Sequence, residues 1–490
     1  MRKRVQLVVL TFLCFAITGL SGEVNLQEVM SAGLPVLVVT TVNGEEPTYD
    51  RADPPTDCFG LSIMNATKVP ARMTISVDGE LVYDSGDYVE DLSGITVKVR
   101  GNTTAFHAKK PYKLKLQKKA DLLCRGDDKF KDKEWALIKD ERLITKAGLK
   151  INELAGLQWT PAYEYVNLVF NGDYRGVYML IETVERNVKC RLNVAETGYV
   201  FEYDPYWWKE ETYAPSTLYH SMQYTYKYPE SKKVNEEQQN YLKEVVSQFE
   251  RSLKNGTYTN YVDVNSFATW MLCHDMLGCI DGAGSNMFLT KYDNTAETKI
   301  KMANLWDFDS ALYQEVSKKW DSVHDKWFFE FLFGSINKSF VCAYKKRWED
   351  LKSTVFDQID TYFADFANSE ESKALDKSLI LDSKRWGNGS ISTMSNIDYI
   401  QQWFASRKVW LDDNINQLIP YEVPFNKLGD VNDDGDCDER DIKAIVSHIM
   451  GEILDGDSFD EYAADVNCDG GVNVDDVVLF INQFCNTPSK

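Results

Sequence analysis

Asp281 is followed five residues later by Asn286, and a second acidic group, Asp307-Phe308-Asp309, lies a short distance downstream. The text between them, "NMFLTKY" and "KIKMANLWDFD" around a polar stretch, reads as two strands joined by a turn. Carboxylates and an amide in this arrangement suit phosphoryl transfer. That chemistry needs a carboxylate to orient and deprotonate an attacking hydroxyl, and oxygen ligands to hold a divalent metal on the phosphates. Asp and Asn also dominate turns, so a bare turn is the competing reading. Upstream, "VKVRGNTTAFHAKKPYKLKL" gathers Arg100, Lys109, Lys110, Lys113 and Lys115 within an otherwise acidic chain. In a strand, Lys113 and Lys115 share one face, and such cations can neutralise nucleotide phosphates. An exposed basic strand is the alternative. Neither GxGxxG nor GxxxxGK[ST] occurs, so an ordinary glycine loop or Walker loop is excluded.

A second kind of chemistry sits near the end of the chain. "GDVNDDGDCDERD" is nearly repeated as "ADVNCDGGVNVDD". Counting from Asp430, oxygen-bearing residues fall at Asp430, Asn432, Asp434, Asp436, Asp438 and Asp441, with Gly435 at the sixth position. From Asp465 the series is Asp465, Asn467, Asp469, Asn473 and Asp476, with Gly470 at the sixth. Alternate oxygen ligands, a glycine for the sharp turn and a closing carboxylate are what Ca²⁺ demands. Each loop leads into an apolar helical phrase, "IKAIVSHIMG" or "VVLFINQF". A solvated acidic loop explains one such match poorly and two in phase hardly at all. Both loops close on Asp where a full EF-hand has Glu, and no helix is expected to lead into either. Two loop–helix halves that cannot bury their apolar faces alone are expected to pack together.

The elements that must position these groups read as an α+β chain. From Leu34 to about Val200 the text is mostly strand-like, interrupted by one helix over Leu143–Leu157, and Asn171-Gly172 marks a hairpin turn. From Asn235 onward helices dominate, with strands returning only around the Asp281–Asp309 region. With 490 residues, at least two domains are expected. The expected divisions are a leader at 1–22, a large domain at 34–420, a linker at 421–428 and the repeat module at 429–490. Arg2, Lys3 and Arg4 before the apolar run Val5–Ile17 read as a cleaved signal peptide. No other stretch is apolar enough to span a bilayer stably, so a secreted, cell-surface or periplasmic location is expected. A net charge of -21 disfavours nucleic acid as a partner and favours divalent cations or basic polypeptides. Nine cysteines remain after Cys14 leaves with the leader, an odd number with no CxxC, so a zinc site is not expected.

Other signals carry less. Tyr206, Trp207 and Trp208 could form a sugar-stacking platform, or a buried aromatic cluster. His274 has no paired nucleophile in a GxSxG context and reads as a core or surface residue. A glycosidase needs two carboxylates across a cleft, which 75 acidic residues do not by themselves exclude.

Two resemblances join these observations. "KVRGNTT…KKPYKLKL", "EWALIKDERLITKAGLKINELAGLQWTPAYEYVNLVFNGDYRGVYMLIETV" and "NLWDFDSA" resemble the CotH family of secreted, spore-coat-type protein kinases. The acidic repeat resembles a dockerin module. The first resemblance implies an atypical kinase-like fold, β-rich then helical, using ATP and Mg²⁺ or Mn²⁺ to phosphorylate Ser or Thr of an extracytoplasmic protein. By motif, Asp281 would be the catalytic carboxylate, and Asp307, with Asn286 and Asp309, would hold the metal. Arg100 and Lys113 or Lys115 would face phosphates, and Glu182 would contact nucleotide or pair with a lysine. The second resemblance implies an all-α module folded by calcium at the two loops and docking on a cohesin-like receptor. A non-catalytic kinase-like scaffold, or a carbohydrate-binding component of polysaccharide degradation displayed by the dockerin, is the alternative.

Overall fold

The computed structural model describes residues 24–58, 60–279, 282, 284–312, 324–334, 336–387, 392–415, 428–452 and 459–485. Asp281, the expected leader and nearly all of the expected linker lie outside the described residues.

After a short helix, α1 (Leu26–Ser31), the first half of the chain is a β-barrel. Its sheet is formed by β1 (Val36–Thr41), β4 (Val69–Val77), β5 (Glu80–Asp84), β6 (Ile95–Val99), β7 (Tyr112–Ala120), β8 (Asp132–Ile138), β9 (Tyr163–Phe170) and β10 (Asp173–Glu182); β2 (Asp50–Ala52) and β3 (Ser62–Met64) pair apart from it. β1 pairs in parallel with β9 and antiparallel with β4, which closes the ring and leaves β5 as an extra strand on β4. Alternation builds the interior. In β6 the residues Ile95, Val97 and Val99 are buried while Thr96 and Lys98 are half-buried. Trp135, Leu137, Tyr178 and Leu180 complete the same apolar filling. The β9–β10 hairpin turns at Asn171 and Gly172, both with positive φ (50° and 79°), as an Asn-Gly turn requires.

The outer face of β8 and β10, with Ala136, Met179 and Ile181, belongs to a second and larger core. That core continues through α2 (Ile144–Leu154), a five-stranded sheet and the helices of the second half. The sheet comprises β11 (Tyr199–Asp204), β12 (Tyr213–Ala214), β13 (Gln223–Tyr228), β14 (Met287–Lys291) and β15 (Ile300–Met302). Among the helices, α3 (Glu236–Asn255) starts with an Asn235/Gln238 capping box, and α4 (Val264–Leu277) starts on Asp263, whose side chain accepts from the Ser266 amide at 2.8 Å. Long helices at Lys338–Ala367, Glu370–Trp386 and Thr393–Asn414 complete this part. The expected helix at Leu143–Leu157 and the strand-then-helix order are present. The closure of the barrel, β11–β13 and the helix Glu370–Trp386 were not foreseen.

The terminal module has its own small core of Val431, Ala444, Ile445, Ala463, Ala464, Val466 and Phe480. Its helices Glu439–Ile449 and Val474–Phe480 each start from a capping box made by residues of the preceding acidic loop. Among the described residues, no helix is long and apolar enough to cross a membrane.

One close approach ties α2 to the acidic group downstream of β15. A Cβ on Gly148 would sit 2.1 Å from Cδ1 of Phe308, a ring only 2% exposed. The lack of a side chain on α2 is what lets Phe308 seat there. Gly148→Ala is therefore expected to lower stability by about 1–3 kcal/mol through overpacking, measured by chemical denaturation. Adding Phe308→Leu should recover part of the loss. An unchanged unfolding midpoint for Gly148→Ala would contradict this packing.

Candidate functional site

The barrel and the second sheet meet at a cavity of about 400 Å³, a size usual for small-ligand sites. Four segments contribute most of its lining. Arg100 to Thr104 follow β6; Lys139 to Arg142 follow β8 and lead into α2; Ser285 and Asn286 precede β14; and Trp306 to Asp309 follow β15. Arg100, Asn286, Asp307 and Asp309 thus line one cavity, although more than 180 residues separate the first from the others.

Backbone conformation marks two of the three residues expected to hold a metal. Asn286 (φ 62°) and Asp307 (φ 64°) are both left-handed, a region that Asn and Asp tolerate better than most side chains and that recurs at functional sites. The Asn286 amide is held by a neighbouring strand, donating to Glu202 Oε1 at 3.2 Å. Glu202 is buried on β11, which pushes its carboxyl up, while Lys227 at 2.8 Å pulls it back. Asp309 follows Phe308, so the Gly148–Phe308 contact anchors the segment carrying both carboxylates. Opposite them, Arg100 lies 5.6 Å from the centroid of the Trp306 ring. Burial pulls the Arg100 guanidinium down from its usual range, and the Asp307 charge opposes that shift.

The remaining residues expected at this site fall elsewhere. Lys113 and Lys115 do share one face, but it is the outside of the barrel, where both bind Glu134, at 2.6 and 3.1 Å. Neither lines the cavity. Glu182, 1% exposed at the end of β10, accepts from Arg125 Nη2 and from the Ala162 amide, both at 3.0 Å, with Arg191 at 3.9 Å. Its partners are arginines rather than a lysine, and it too is outside the cavity lining. Tyr206 lines the cavity, but Trp207 is half-buried against Tyr213 and His220, at 4.7 and 5.8 Å between ring centroids. His274 is buried in α4 with its ring 4.1 Å from that of Trp270, and burial lowers its pKa to about 4.

Besides Arg100, the cavity presents cations that the sequence reading did not single out. Lys139 lines it, bonded to His107 Nδ1 at 2.7 Å; burial pulls its ammonium down, while Glu141, Asp309 and Asp307 raise it. Glu141, also in the lining, accepts from Lys109 Nζ at 2.8 Å, and the same ammonium binds Asp382. Lys109 stood out in the sequence only as one of a basic run. Its partner on the helix Glu370–Trp386 is 273 residues away, a pairing no local pattern reveals.

In the terminal module each loop folds around its own carboxylates. Asp430 accepts from the amides of Asp434 and Gly435, and Asp465 from those of Asp469 and Gly470, all at 2.8–3.1 Å. Asp441 gathers the amides of Val431, Asn432 and Asp438 at 2.8, 3.2 and 2.8 Å; Asp476 gathers those of Asn467 and Asn473 at 3.1 and 2.9 Å. Arg440 supplies a cation to the first loop, 2.5 Å from Asp434 and 2.8 Å from Asp438. Burial, helped by Asp469 and Asp476, pushes the Asp465 carboxyl up to about 7. Among the described residues, no three His, Cys, Asp or Glu side chains close into a metal cage. The donor set of each loop, carboxylates with Asn amides in a mutually repelling cluster, nevertheless has the chemistry a hard cation takes.

Comparison with known families gives two matches. Residues 97–411 match the family model described as CotH kinase protein, and residues 428–485 match the Dockerin type I domain. No curated protein matches the chain. Since the first match spans more than half of the sequence, the chain belongs to the CotH kinase protein family and carries a dockerin type I domain behind it.

Proposed function

We propose that the chain is an exported protein kinase that transfers the γ-phosphoryl group of ATP to Ser or Thr of an extracytoplasmic protein, tethered to a cohesin-like receptor by its dockerin. One observation carries the reading. Arg100 from the barrel and Asn286, Asp307 and Asp309 from the second sheet converge on a single cavity, bringing a cation and oxygen ligands to the same space. Lys139, in the same lining, adds a second positive nitrogen.

In this reading Arg100 and Lys139 bind phosphate oxygens, and Asn286, Asp307 and Asp309 hold the divalent metal. Bound there, Mg²⁺ or Mn²⁺ would neutralise charge developing on the phosphates. Asp281, five residues before Asn286, orients the substrate hydroxyl and accepts its proton as the new oxygen–phosphorus bond forms and the bond to ADP breaks. Lys113, Lys115 and Glu182 then act as supports of the barrel, through Glu134 and Arg125.

Incubation with γ-labelled ATP and Mn²⁺ tests the proposal. Wild type is expected to label itself or an added extracytoplasmic substrate. Asp281→Ala should reduce transfer by about 10²- to 10⁴-fold, and Asp307→Ala should also abolish the rise in melting temperature caused by Mn²⁺-ATP. Stabilisation by oligosaccharide with none by nucleotide would instead favour a carbohydrate-binding component.

The dockerin loops are proposed to bind Ca²⁺ through Asp430, Asn432, Asp434, Asp436, Asp438 and Asp441, and through Asp465, Asn467, Asp469, Asn473 and Asp476. Saturating Ca²⁺ at about 100 times its Kd should stabilise the folded module by about 2.7 kcal/mol per site. Asp441→Ala and Asp476→Ala should each remove about half of the Ca²⁺-induced shift in its unfolding midpoint. Equal shifts from Ca²⁺ and Mg²⁺ would count against the assignment.

A further inference from the structure

The two acidic loops are near-copies in sequence but not in surroundings. At the fourth position of the first loop stands Asp433, exposed, with φ 60°. The same position of the second holds Cys468, in the same left-handed conformation (φ 57°) but fully buried. Its sulfur is bonded to Cys342 on the helix Lys338–Ala367 of the large domain, 126 residues earlier and 1% exposed. The sixth-position glycines differ in the same way. A Cβ on Gly435 would meet nothing within 4 Å, whereas one on Gly470 would lie 2.1 Å from Cγ2 of Thr259 in the large domain. Asn467 and Asp469 share a cleft with Lys301, Lys346 and Arg347 of the large domain, cations that also pair there with Asp263 and Asp350. Cys468 is part of the large domain's core cluster, and Tyr462 packs against it.

We propose that the second loop is a fixed foot, seated on the large domain and locked by the Cys342–Cys468 bond, so that the two halves of the repeat have different duties. The occupant of this large-domain surface is the chain's own residues 467–470. Apolar side chains stay exposed on both helices of the module, Val446 and Met450 at 41% and 69% on the first and Val474 and Val478 at 62% and 52% on the second, so the foot leaves the helical faces for a receptor to reach. Forming the bond passes two electrons and two protons from the paired thiols to a disulfide-class oxidant, which leaves as two thiols. Three features coincide on one side of a near-symmetric module: a buried half-cystine, a glycine in close contact and a cleft shared with charged residues of the large domain. The first loop has an exposed aspartate and an open glycine in the equivalent positions.

The test uses the full chain, purified without reductant and saturated with Ca²⁺. Proteolysis under non-reducing conditions is expected to yield a cross-linked peptide containing Cys342 and Cys468. Hydrogen–deuterium exchange should be about tenfold slower at 467–471 than at 432–436. Thr259→Arg, which leaves every loop ligand in place, should bring the second loop's exchange toward that of the first. Cys342→Ser provides a second variant with the same expectation. Recovery of Cys342 and Cys468 as separately alkylated thiols, equal exchange of the two loops in wild type, or no change in either variant would overturn the proposal.

Discussion

The large domain depends on a buried ammonium. Lys109 extends from the loop before β7 and binds Glu141 at the cavity wall and Asp382 on the helix Glu370–Trp386, with the Tyr178 ring 5.0 Å from its nitrogen. Asp382 also accepts from the Val177 amide of β10 at 2.7 Å. One positive charge thereby joins a barrel loop, a barrel strand and a helix of the second half. Charges this deep are tolerable only when paired, and removing one partner of such a cluster typically costs about 3–5 kcal/mol. The cavity owes its shape to this joint, because Glu141 is both a partner of Lys109 and part of the lining.

Around that joint the molecule separates charge by depth. The chain as a whole carries a net charge of -21, yet the cavity lining brings Arg100, Lys139 and Arg142 alongside Asp307 and Asp309. Burial lowers the pKa of Arg100 and Lys139, and the neighbouring carboxylates counter it, so the positive groups remain compatible with a desolvated wall. The terminal module does the opposite. It concentrates carboxylates with few counter-charges, which suits a site completed by a cation from solution.

Much of this organisation was legible in the sequence where the signal is local. Asn171-Gly172 specified a hairpin because type I′ geometry needs positive φ at both positions. The acidic repeats were readable because their ligand spacing is set within a dozen residues. Arg100, Asn286, Asp307 and Asp309, singled out by residue type and spacing together with family resemblance, line one cavity. The failures share a cause. Alternation says that Lys113 and Lys115 point the same way but not whether that way leads to the cavity, and only barrel closure decides it. Glu182 could be ranked as a partner for a cation, but the arginine it takes lies 57 residues away in sequence. Lys109–Asp382 and Cys342–Cys468 span 273 and 126 residues, distances at which sequence pattern carries no pairing information.

The seat of Phe308 on α2 has a mechanical consequence. Asp307 and Asp309 flank a ring held by a bare patch of helix, so the two carboxylates form one rigid jaw rather than two independent arms. The grip that steadies this jaw is apolar. Changes in volume within an oily core far from solvent would therefore be transmitted as displacements of negative charge, and drift in hydrophobic residues along α2 would retune the spacing of the acidic rim without altering any polar residue.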